Sequence, residues 1–329
     1  MLRPSIHVII VNWNSGNQLV ECLGSFAAVV DDAASLTSVT VIDNASADGS
    51  LDAAARLEAA LPLSIVRNRE NRGFAAASNQ GAAGSTADFL LFLNPDTRLT
   101  PGCFEAPVRF LNDRINESAG IVGVQLIDPD GKVARSCARR PRPLAMIGSV
   151  LGLDRLMPSV FPPHFLLEWD HQETCTVDQV MGAFCFIRRS LFEALGGFDE
   201  RFFVYYEDLD LAVRAQALGW RSVYLASAQA YHRGGGTTAA VRDRRLYYLV
   251  RSRILFSLKH FGLGAALGVI VASLFLEPVA RTVHALSSRR IAEVKEIGRG
   301  FAMLWQHLPE IIQTHLRLAH AQSAAAHAL

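Results

Sequence analysis

Residues 88–96 read DFLLFLNPD, an uninterrupted apolar run that stops at polar residues around a proline. A short apolar run bounded by turn residues predicts a strand buried on both faces, as in a parallel sheet. The pattern occurs three more times, in IHVIIVN (6–12), VTVID (39–43) and LSIVRN (63–68), each ending at a polar residue. The first third of the chain therefore predicts four buried strands.

Helical stretches separate these strands, at about 17–29, 50–61 and 74–84. Alternation of short buried strands with helices predicts βαβ units, and hence an α/β fold with a mostly parallel central sheet. Ligands of such sheets bind in the crevice beyond the carboxyl ends of the strands. The polar residues at these four ends are Asn12, Asp43, Asn68, and Asn94 with Asp96.

The second half of the chain is less regular. Residues 135–170 are rich in Arg and Pro without a clear period, which predicts a variable excursion. After it, the sequence predicts a strand-like run containing Gly182, a short helix, a longer helix and a strand, at 177–190, 191–199, 207–218 and 222–227. No internal repeat is apparent.

Composition restricts the function. The 329 residues carry 32 Lys and Arg against 31 Asp and Glu, a net charge of +1 that gives no general argument for nucleic acid binding. Five scattered cysteines form no CxxC pair, which disfavours a zinc site or a disulfide framework and suits a reducing compartment. The N-terminal apolar run is too short for a signal peptide and is interpreted as a strand.

Charge and hydropathy change near the C-terminus. Residues 242–259 hold six Lys and Arg against one acid, and residues 261–276 carry no charge. We interpret this pair of segments as a membrane-surface element, although a helix buried in the core or in a dimer is the alternative. Apolar residues at three-to-four spacing across 289–312 predict an amphipathic helix.

Three polar positions suggest ligand chemistry, each with a plainer alternative. Asp96 follows a buried strand and offers hard oxygen ligands for a divalent cation, although Asp is also common in turns. Asp43 is placed to accept a hydrogen bond from a nucleobase or ribose, or else to cap the next helix. His232 precedes three glycines and is either a metal ligand or a surface histidine.

The stretch YYEDLDL (205–211) places three carboxylates within four residues. Its two interpretations are a solvated helix start and a catalytic carboxylate in a pocket. Glu207 and Asp208 would lie at the positive end of a helix dipole, which favours their ionised forms. For Asp210 we expect a solvated, capping role, because residues two apart do not share a helix face.

Taken together, these segments resemble the inverting glycosyltransferases of family 2, which have the GT-A fold. The resemblance covers residues 6–236 in one order and is closest to bacterial rhamnosyltransferases of cell-envelope polysaccharide synthesis. Its motifs are HVIIVNWNS, VTVIDNASADGS, NRENRGFAAASNQG, FLLFLNPDT, VMGAFCFIRRSLFEALGGFDERFFVYYEDLDLAVRAQALGW and AYHRGG.

The resemblance implies roles for individual residues. Asp208 matches the catalytic base, Asp96 the last residue of the DXD metal motif, and His232 a residue that often completes the metal site. Asn94 stands where that motif has its first Asp. This departure leaves Asp96, the residue that would bind the metal directly, in place. The implied nucleotide-sugar residues are Asn12, Asp43, Asn71, Gly73 and Asn94, and the implied acceptor-side residues are Gly182 and Glu207.

The resulting hypothesis is a metal-dependent (Mg²⁺ or Mn²⁺) inverting glycosyltransferase that moves a sugar from a nucleotide diphosphate to a glycan or polyprenyl-diphosphate-linked acceptor. Rhamnose on dTDP is the donor that the resemblance suggests; galactofuranose or a glucose-type sugar on UDP stays open. The expected location is the cytoplasmic face of the cell membrane, with peripheral association and an oligomer possible.

The expected domains are a GT-A domain at 1–240, with a nucleotide-sugar half at 1–128 and an acceptor half at 129–240, and a helical appendage at 241–329. Two other functions were weighed. A non-catalytic nucleotide-sugar-binding scaffold would not need the YEDLDL acids. A nucleotidyltransferase would need a basic, glycine-rich loop after the first strand, and NWNSGNQL has no Lys or Arg.

Overall fold

A computed structural model describes residues 3–29, 35–57, 61–234 and 241–326, with side chains described through residue 314. The strands are β1 Ser5–Asn12, β2 Ser35–Asp43, β3 Leu63–Arg67, β4 Phe89–Leu93, β5 Thr97–Leu99, β6 Ala119–Ile127, β7 Cys137–Ala138, β8 Cys175–Val177, β9 Gln179–Val180, β10 Phe184–Arg188 and β11 Arg221–His232. The helices are α1 Gln18–Gly24, α2 Ser50–Ala55, α3 Phe74–Ala82, α4 Glu105–Asn112, α5 Pro143–Val150, α6 Arg189–Ala194, α7 Glu207–Ala217, α8 Arg242–His260, α9 Leu263–Val271, α10 Glu277–Ser287 and α11 Ile291–Ala326.

The main sheet runs in the order β3-β2-β1-β4-β10-β6-β11-β5, and β8 also pairs with β11. Its first half, β3-β2-β1-β4, is parallel throughout. Strand β10 then enters antiparallel between β4 and β6, while β6 and β11 are parallel to each other. The predicted α/β class is confirmed, and the parallel arrangement is complete among β1 to β4, while β5, β8 and β10 make antiparallel pairs.

The four predicted strands of the first third are β1 to β4, and all five residues of β4 are buried. The predicted helices between them are shorter than expected, since α2 ends at Ala55 and α3 at Ala82. The strand-like run at 177–190 is divided between β9 and β10, which residues 181–183 separate. Within the excursion predicted at 135–170, the chain forms β7 and the helix α5.

The chain divides into two compact units. The first comprises the residues up to Arg140, then Phe165–Glu200, and then the segment from Glu207 through β11. It contains the main sheet and both buried apolar clusters, one on each side of that sheet. The second comprises Pro141–His164, Arg201–Tyr206 and the helices α8 to α11.

In the second unit, α9 and α10 are joined by a π-helical turn, Ala272–Leu276, into a 25-residue helix from Leu263 to Ser287. One buried ion group ties this helix to α8. Arg253 donates from Nη1 to Glu277 Oε2 at 2.6 Å, and Arg281 donates from Nε to Glu277 Oε1 at 2.8 Å. Because a buried carboxylate is costly unless paired, these two guanidinium groups allow Glu277 to lie with no exposed surface.

Candidate active site

The carboxyl ends of the parallel strands bring the predicted polar residues to one edge of the sheet. Asn12, the last residue of β1, is the register partner of Asp43, the last residue of β2. Asp43 in turn is paired with Arg67 at the end of β3, and the backbone N–H of Asn68 donates to Asp43 O. The prediction that these strand ends meet is therefore confirmed for β1, β2 and β3.

Asn12 and Asp43 form a closed hydrogen-bond network. Asn12 Nδ2 donates to Asp43 Oδ1 at 2.8 Å and to Ser50 Oγ at 2.9 Å, and Ser15 donates its hydroxyl to Asn12 Oδ1. The backbone N–H of Ser46 donates to Asp43 Oδ2 at 3.1 Å. The Asn12 side chain has no exposed surface, so it holds Asp43 in position and does not face a ligand in this conformation.

A second network fixes the loop that leads into α3. Asn71 Oδ1 accepts a hydrogen bond from Gly73 N at 2.9 Å, and Asn44 Nδ2 donates to Gly73 O at 3.0 Å. Asn68 Nδ2 in turn donates to Asn44 Oδ1. Gly73 has φ 84°, a left-handed backbone that favours glycine. Asn44 was not singled out from the sequence, although it directly follows Asp43 in VIDN.

Asp96 and His232 meet at the other side of the crevice. His232 is the last residue of β11, which pairs with β5 so that His232 faces Thr97 in register. This pairing brings His232 Nε2 to 3.3 Å from Asp96 Oδ1, and both side chains are only 11–12% exposed. Within the described ranges, no group of three or more His, Cys, Asp or Glu side chains is arranged to hold a metal ion. The structure therefore brings together the two side chains that the family resemblance relates to a metal site, a carboxylate and an imidazole.

Two cationic residues beside Asp96 were missed from the sequence. A small pocket of about 50 Å³ is lined by Asp96, Arg98, Arg233 and Tyr231, among others. The guanidinium of Arg98 lies 3.9 Å from the centre of the Tyr231 ring, and the backbone N–H of Arg233 donates to Asp96 O. Arg98 is the exposed middle residue of the three-residue strand β5, between the buried Thr97 and Leu99. Three residues are too short a pattern to predict a strand from the sequence alone.

Asp208 is linked to the Asp96 side through two backbone groups. Gly182 N donates to Asp208 Oδ2 at 3.0 Å. The next residue, Ala183, accepts hydrogen bonds through its carbonyl from Asn94 N at 3.1 Å and from Thr97 Oγ1 at 3.3 Å. A Cβ on Gly182 would lie 3.3 Å from Asp208 Oδ2, so glycine permits this close approach. One dipeptide thus joins the loop that carries Asp96 to the helix start that carries Asp208.

Burial changes the acids of YYEDLDL. Burial raises the pKa of Asp208, although hydrogen bonds from Leu209 N and Gly182 N oppose the effect. Burial, and then the neighbouring Asp208, raise the pKa of Glu207 well above its ordinary value. The expectation that the helix dipole would favour the ionised forms is therefore wrong in sign, because desolvation of both carboxylates outweighs the dipole.

Two polar atoms near Asp208 are unsatisfied. Gln179 hydrogen-bonds Asp208 through its side chain, and its buried Oε1 has no hydrogen-bond partner among the described residues. The same holds for Oε2 of Glu207, a residue that is 7% exposed. Buried polar atoms normally find partners, so two such atoms around one carboxylate indicate a place for a polar group of a ligand.

Asp210 does not have the solvated capping role expected for it. Its side chain is fully buried, and Oδ2 accepts from Arg214 Nε at 2.7 Å, one turn further along α7. Arg214 also donates to the carbonyls of Leu195 and Gly197, which follow α6. Asp210 is thus part of a structural ion pair. The sequence signal was available, because Asp210 and Arg214 stand at i and i+4 on the helix.

The backbone before Glu207 is strained. Tyr205 and Tyr206 have φ values of 67° and 70°. A left-handed backbone is uncommon for bulky residues and occurs where a fold or a function requires it. Here it ends the YY segment and starts α7, so that Glu207 and Asp208 occupy the first turn of that helix.

Comparison with known proteins relates the chain to glycosyltransferases. The sequence profile described as "Glycosyl transferase family 2" matches residues 7–196. An N-acetylglucosaminyl-diphospho-decaprenol L-rhamnosyltransferase of Mycobacterium tuberculosis (strain ATCC 25618 / H37Rv) is 30% identical over 258 residues, covering 70% of this chain and 76% of the relative. Rhamnosyltransferase WbbL of Escherichia coli (strain K12) is 25% identical over 148 residues, covering 44% and 52%.

Two solved structures share the fold. Mannosyltransferase PcManGT from Pyrobaculum calidifontis, in complex with GDP-Man and Mn²⁺, gives a TM-score of 0.54 at 20% identity, covering 99% of this chain and 81% of that one. S. aureus TarS 1-349 in complex with UDP-GlcNAc gives 0.52 at 16% identity, covering 82% and 71%. At identities of 20% and 16%, this similarity shows a shared fold and nothing further.

The buried Glu207 makes a prediction about stability and pH. A raised pKa in the folded state means that folding is accompanied by proton uptake. The contribution of Glu207 to the free energy of unfolding is therefore largest below the ordinary glutamate pKa of about 4.3, and it falls as the pH rises. Relative to Glu207→Gln, the wild type should therefore lose about 1–3 kcal/mol of unfolding free energy between acidic and mildly alkaline pH. Denaturant unfolding of the wild type and the variant at several pH values measures this difference. Glu117→Gln, at an exposed position, serves as the control, and an equal pH dependence in both variants would contradict the prediction.

Proposed function

The chain belongs to glycosyl transferase family 2 and is an inverting glycosyltransferase, and from this premise we propose that it transfers L-rhamnose from dTDP-rhamnose. The proposed acceptor is a hydroxyl of N-acetylglucosamine linked through diphosphate to a polyprenol, in cell-envelope polysaccharide synthesis. Support comes from the M. tuberculosis relative, whose name states a rhamnosyl transfer to such a lipid. The proposed location is the cytoplasmic face of the membrane, where this acceptor would lie.

The observation that carries the proposal is the Gly182–Ala183 link. It connects the Asp208 carboxylate on one side with the Asn94–Thr97 turn, and hence Asp96, on the other. An inverting displacement needs a base on the acceptor side and charge stabilisation on the leaving-group side of the same anomeric carbon. The link supports this arrangement, because Gly182 N binds the Asp208 carboxylate and the carbonyl of Ala183 binds the turn that carries Asp96.

We assign the donor side to the strand ends and the loop before α3. In this assignment Asp43, held by Asn12, contacts the base or ribose, and Asn71 and Gly73 border the nucleotide and diphosphate. Asn94 lines the sugar side through its place at the end of β4. Arg98 and Arg233, beside Asp96, supply positive charge toward the diphosphate.

Asp96 and His232 fit a divalent cation in their chemistry, since a carboxylate oxygen and an imidazole nitrogen are accepted ligands of Mn²⁺. When bound, the cation would neutralise charge on the departing diphosphate. Asp96 and His232 are the residues that would hold it.

On the acceptor side, Asp208 is the proposed base. The acceptor oxygen bonds to the anomeric carbon as the bond from that carbon to the diphosphate oxygen breaks, and the acceptor proton passes to Asp208. The leaving electron pair stays on the nucleotide diphosphate. Gly182 N orients the Asp208 carboxylate, and the unsatisfied Oε2 of Glu207 is offered to the acceptor. The raised pKa of Asp208 increases its basicity, which suits a general base.

A panel of donors tests the assignment of the sugar. Purified protein is incubated with dTDP-rhamnose, UDP-galactofuranose or UDP-glucose, with and without a synthetic N-acetylglucosaminyl-diphospho-lipid. We expect acceptor-dependent turnover with dTDP-rhamnose, measured as a glycosylated lipid by mass spectrometry. Transfer from only a UDP sugar would refute the donor assignment. Donor binding without turnover of any donor would favour the non-catalytic scaffold.

The variant Asp208→Asn tests the base. We expect it to lower turnover by roughly 100- to 10,000-fold, because the amide cannot take the acceptor proton. Nucleotide affinity, measured by calorimetry, should stay within about twofold, because Asp208 does not contact the nucleotide in this assignment. Asp130→Asn, in an exposed turn, is the control. Turnover close to wild type in Asp208→Asn would exclude this residue as the base.

The variants Asp96→Asn and His232→Ala test the cation site by binding alone. We expect each to weaken Mn²⁺-dependent binding of dTDP by at least about tenfold, because each removes one of the two ligands that the protein supplies. Binding in excess chelator should be weak and alike in the wild type and both variants. Asp130→Asn again serves as the control. An unaltered response to Mn²⁺ in both variants would place the cation elsewhere.

A further inference from the structure

The second unit exposes a continuous apolar stripe along the helix from Leu263 to Ser287. Its members are each 50–73% exposed and stand mostly four residues apart. They are Leu263, Leu267, Val271, Phe275, Val279, Val283 and Leu286. Soluble proteins seldom leave a contiguous apolar surface of this length uncovered. The opposite side of the same helix is packed, with Val269, Ser273 and Glu277 fully buried.

The π-helical turn Ala272–Leu276 helps to keep this stripe on one side. Residues four apart drift by about 40° around an ideal α-helix, so a long run of such spacings would wind away from one face. A π turn contains an additional residue and offsets part of this drift. It lies between Val271 and Val279, in the middle of the stripe.

Neighbouring segments of the second unit extend the apolar surface. Trp305 on α11 is 44% exposed and its ring centre lies 5.4 Å from that of Phe275. Leu144 on α5, a helix that packs against α9, is 61% exposed. Of the twenty large hydrophobic residues found exposed in the described chain, fifteen belong to the second unit. The apolar surface is therefore a property of this unit and is not scattered over the molecule.

Charge identifies the surface that this stripe would contact. Residues 241–314 carry eleven Lys and Arg against five Asp and Glu, although the whole chain has a net charge of only +1. Lys259 and His260 precede the stripe, and Arg289 and Arg290 follow it. An apolar stripe bracketed by cations matches the interface of an anionic lipid bilayer, where acyl chains and phosphate groups are adjacent.

We propose that the Leu263–Ser287 helix lies in the plane of an anionic phospholipid membrane, with its apolar stripe inserted among the acyl chains. The inference deepens the proposed function and rests on it, because a lipid-linked acceptor requires the enzyme to work at a membrane. An in-plane position is favoured over a spanning one by the cations at both ends, since a spanning helix normally has its positive residues on one side. Glu277, near the middle of the helix and ion-paired to Arg253 on α8, also requires the packed face to stay against the protein.

Vesicle flotation tests the proposal with the full chain. Wild-type protein should float with phosphatidylglycerol-containing vesicles and much less with pure phosphatidylcholine, and 1 M salt should weaken the binding. The triple variant Leu267→Gln, Val271→Gln, Phe275→Gln should bind on the order of tenfold or more weakly, because three inserted side chains become polar. Val66→Gln, Ile115→Gln, Leu218→Gln, which changes exposed apolar residues of the first unit, should float like the wild type.

Depth measurements separate in-plane from spanning helices. In a Cys175→Ser background, a fluorophore is attached to Leu267→Cys, Phe275→Cys or Val283→Cys, and its quenching by nitroxide lipids is compared. Similar shallow depths support the proposal. A middle residue lying deeper than both ends would overturn it in favour of a spanning helix. The wild type could instead fail to float while light scattering shows a dimer that is lost in the glutamine variant. That result would mean that a second copy of the chain covers the stripe.

The two proposals fail separately. Flotation uses vesicles without acceptor, so it does not depend on catalysis. The glutamine variant should retain wild-type transfer to a short-chain, water-soluble acceptor analogue. Flotation without transfer from any donor would remove the proposed function and leave the membrane docking. Transfer without flotation would remove the membrane docking and leave the proposed function.

Discussion

The Gly182–Ala183 dipeptide is the constraint on which the site depends. It precedes β10, the strand that enters the sheet antiparallel between β4 and β6, and the N–H of Gly182 and the carbonyl of Ala183 bind two different segments. Backbone groups cannot be moved by side-chain rotation, so the Asp208 carboxylate and the turn carrying Asp96 keep a fixed relation. A side chain at position 182 would crowd Asp208, and a different strand order would separate the two acids.

The surroundings of Asp43 and Asp96 differ from those of Asp208. Asp43 and Asp96 each have polar partners within the protein, namely Asn12 and Ser46 for the first and His232 for the second. Asp208 is partly buried beside the buried carboxyl of Glu207, whose Oε2 has no hydrogen-bond partner among the described residues. The surroundings of Asp208 therefore raise its pKa.

Local pattern was sufficient to predict the first half of the fold. Apolar runs that stop at Asn12, Asp43 and Asn94 fixed both the strands and the edge at which polar groups gather. The links that complete the site are long-range. The contacts of Gly182 with Asp208 and of Asp96 with His232 join residues 26 and 136 positions apart, and no periodicity reports them. Burial was likewise invisible in YYEDLDL, so the sign of the pKa shifts and the ion pair of Asp210 were missed.

The three acids of YYEDLDL act together because their environments differ. Arg214 forms an ion pair with the buried Asp210, and the nearby Asp210 carboxylate adds to the burial and the Asp208 charge that raise the pKa of Glu207. Burial and the neighbouring Asp208 carboxylate act in the same direction on Glu207, so the two acids at the start of α7 influence each other's protonation. Without Arg214, the buried Asp210 carboxylate would lose this ion-pair partner, which is costly for a buried charge. The structural ion pair therefore shapes the electrostatic environment of Glu207 in addition to tying α7 to the residues that follow α6.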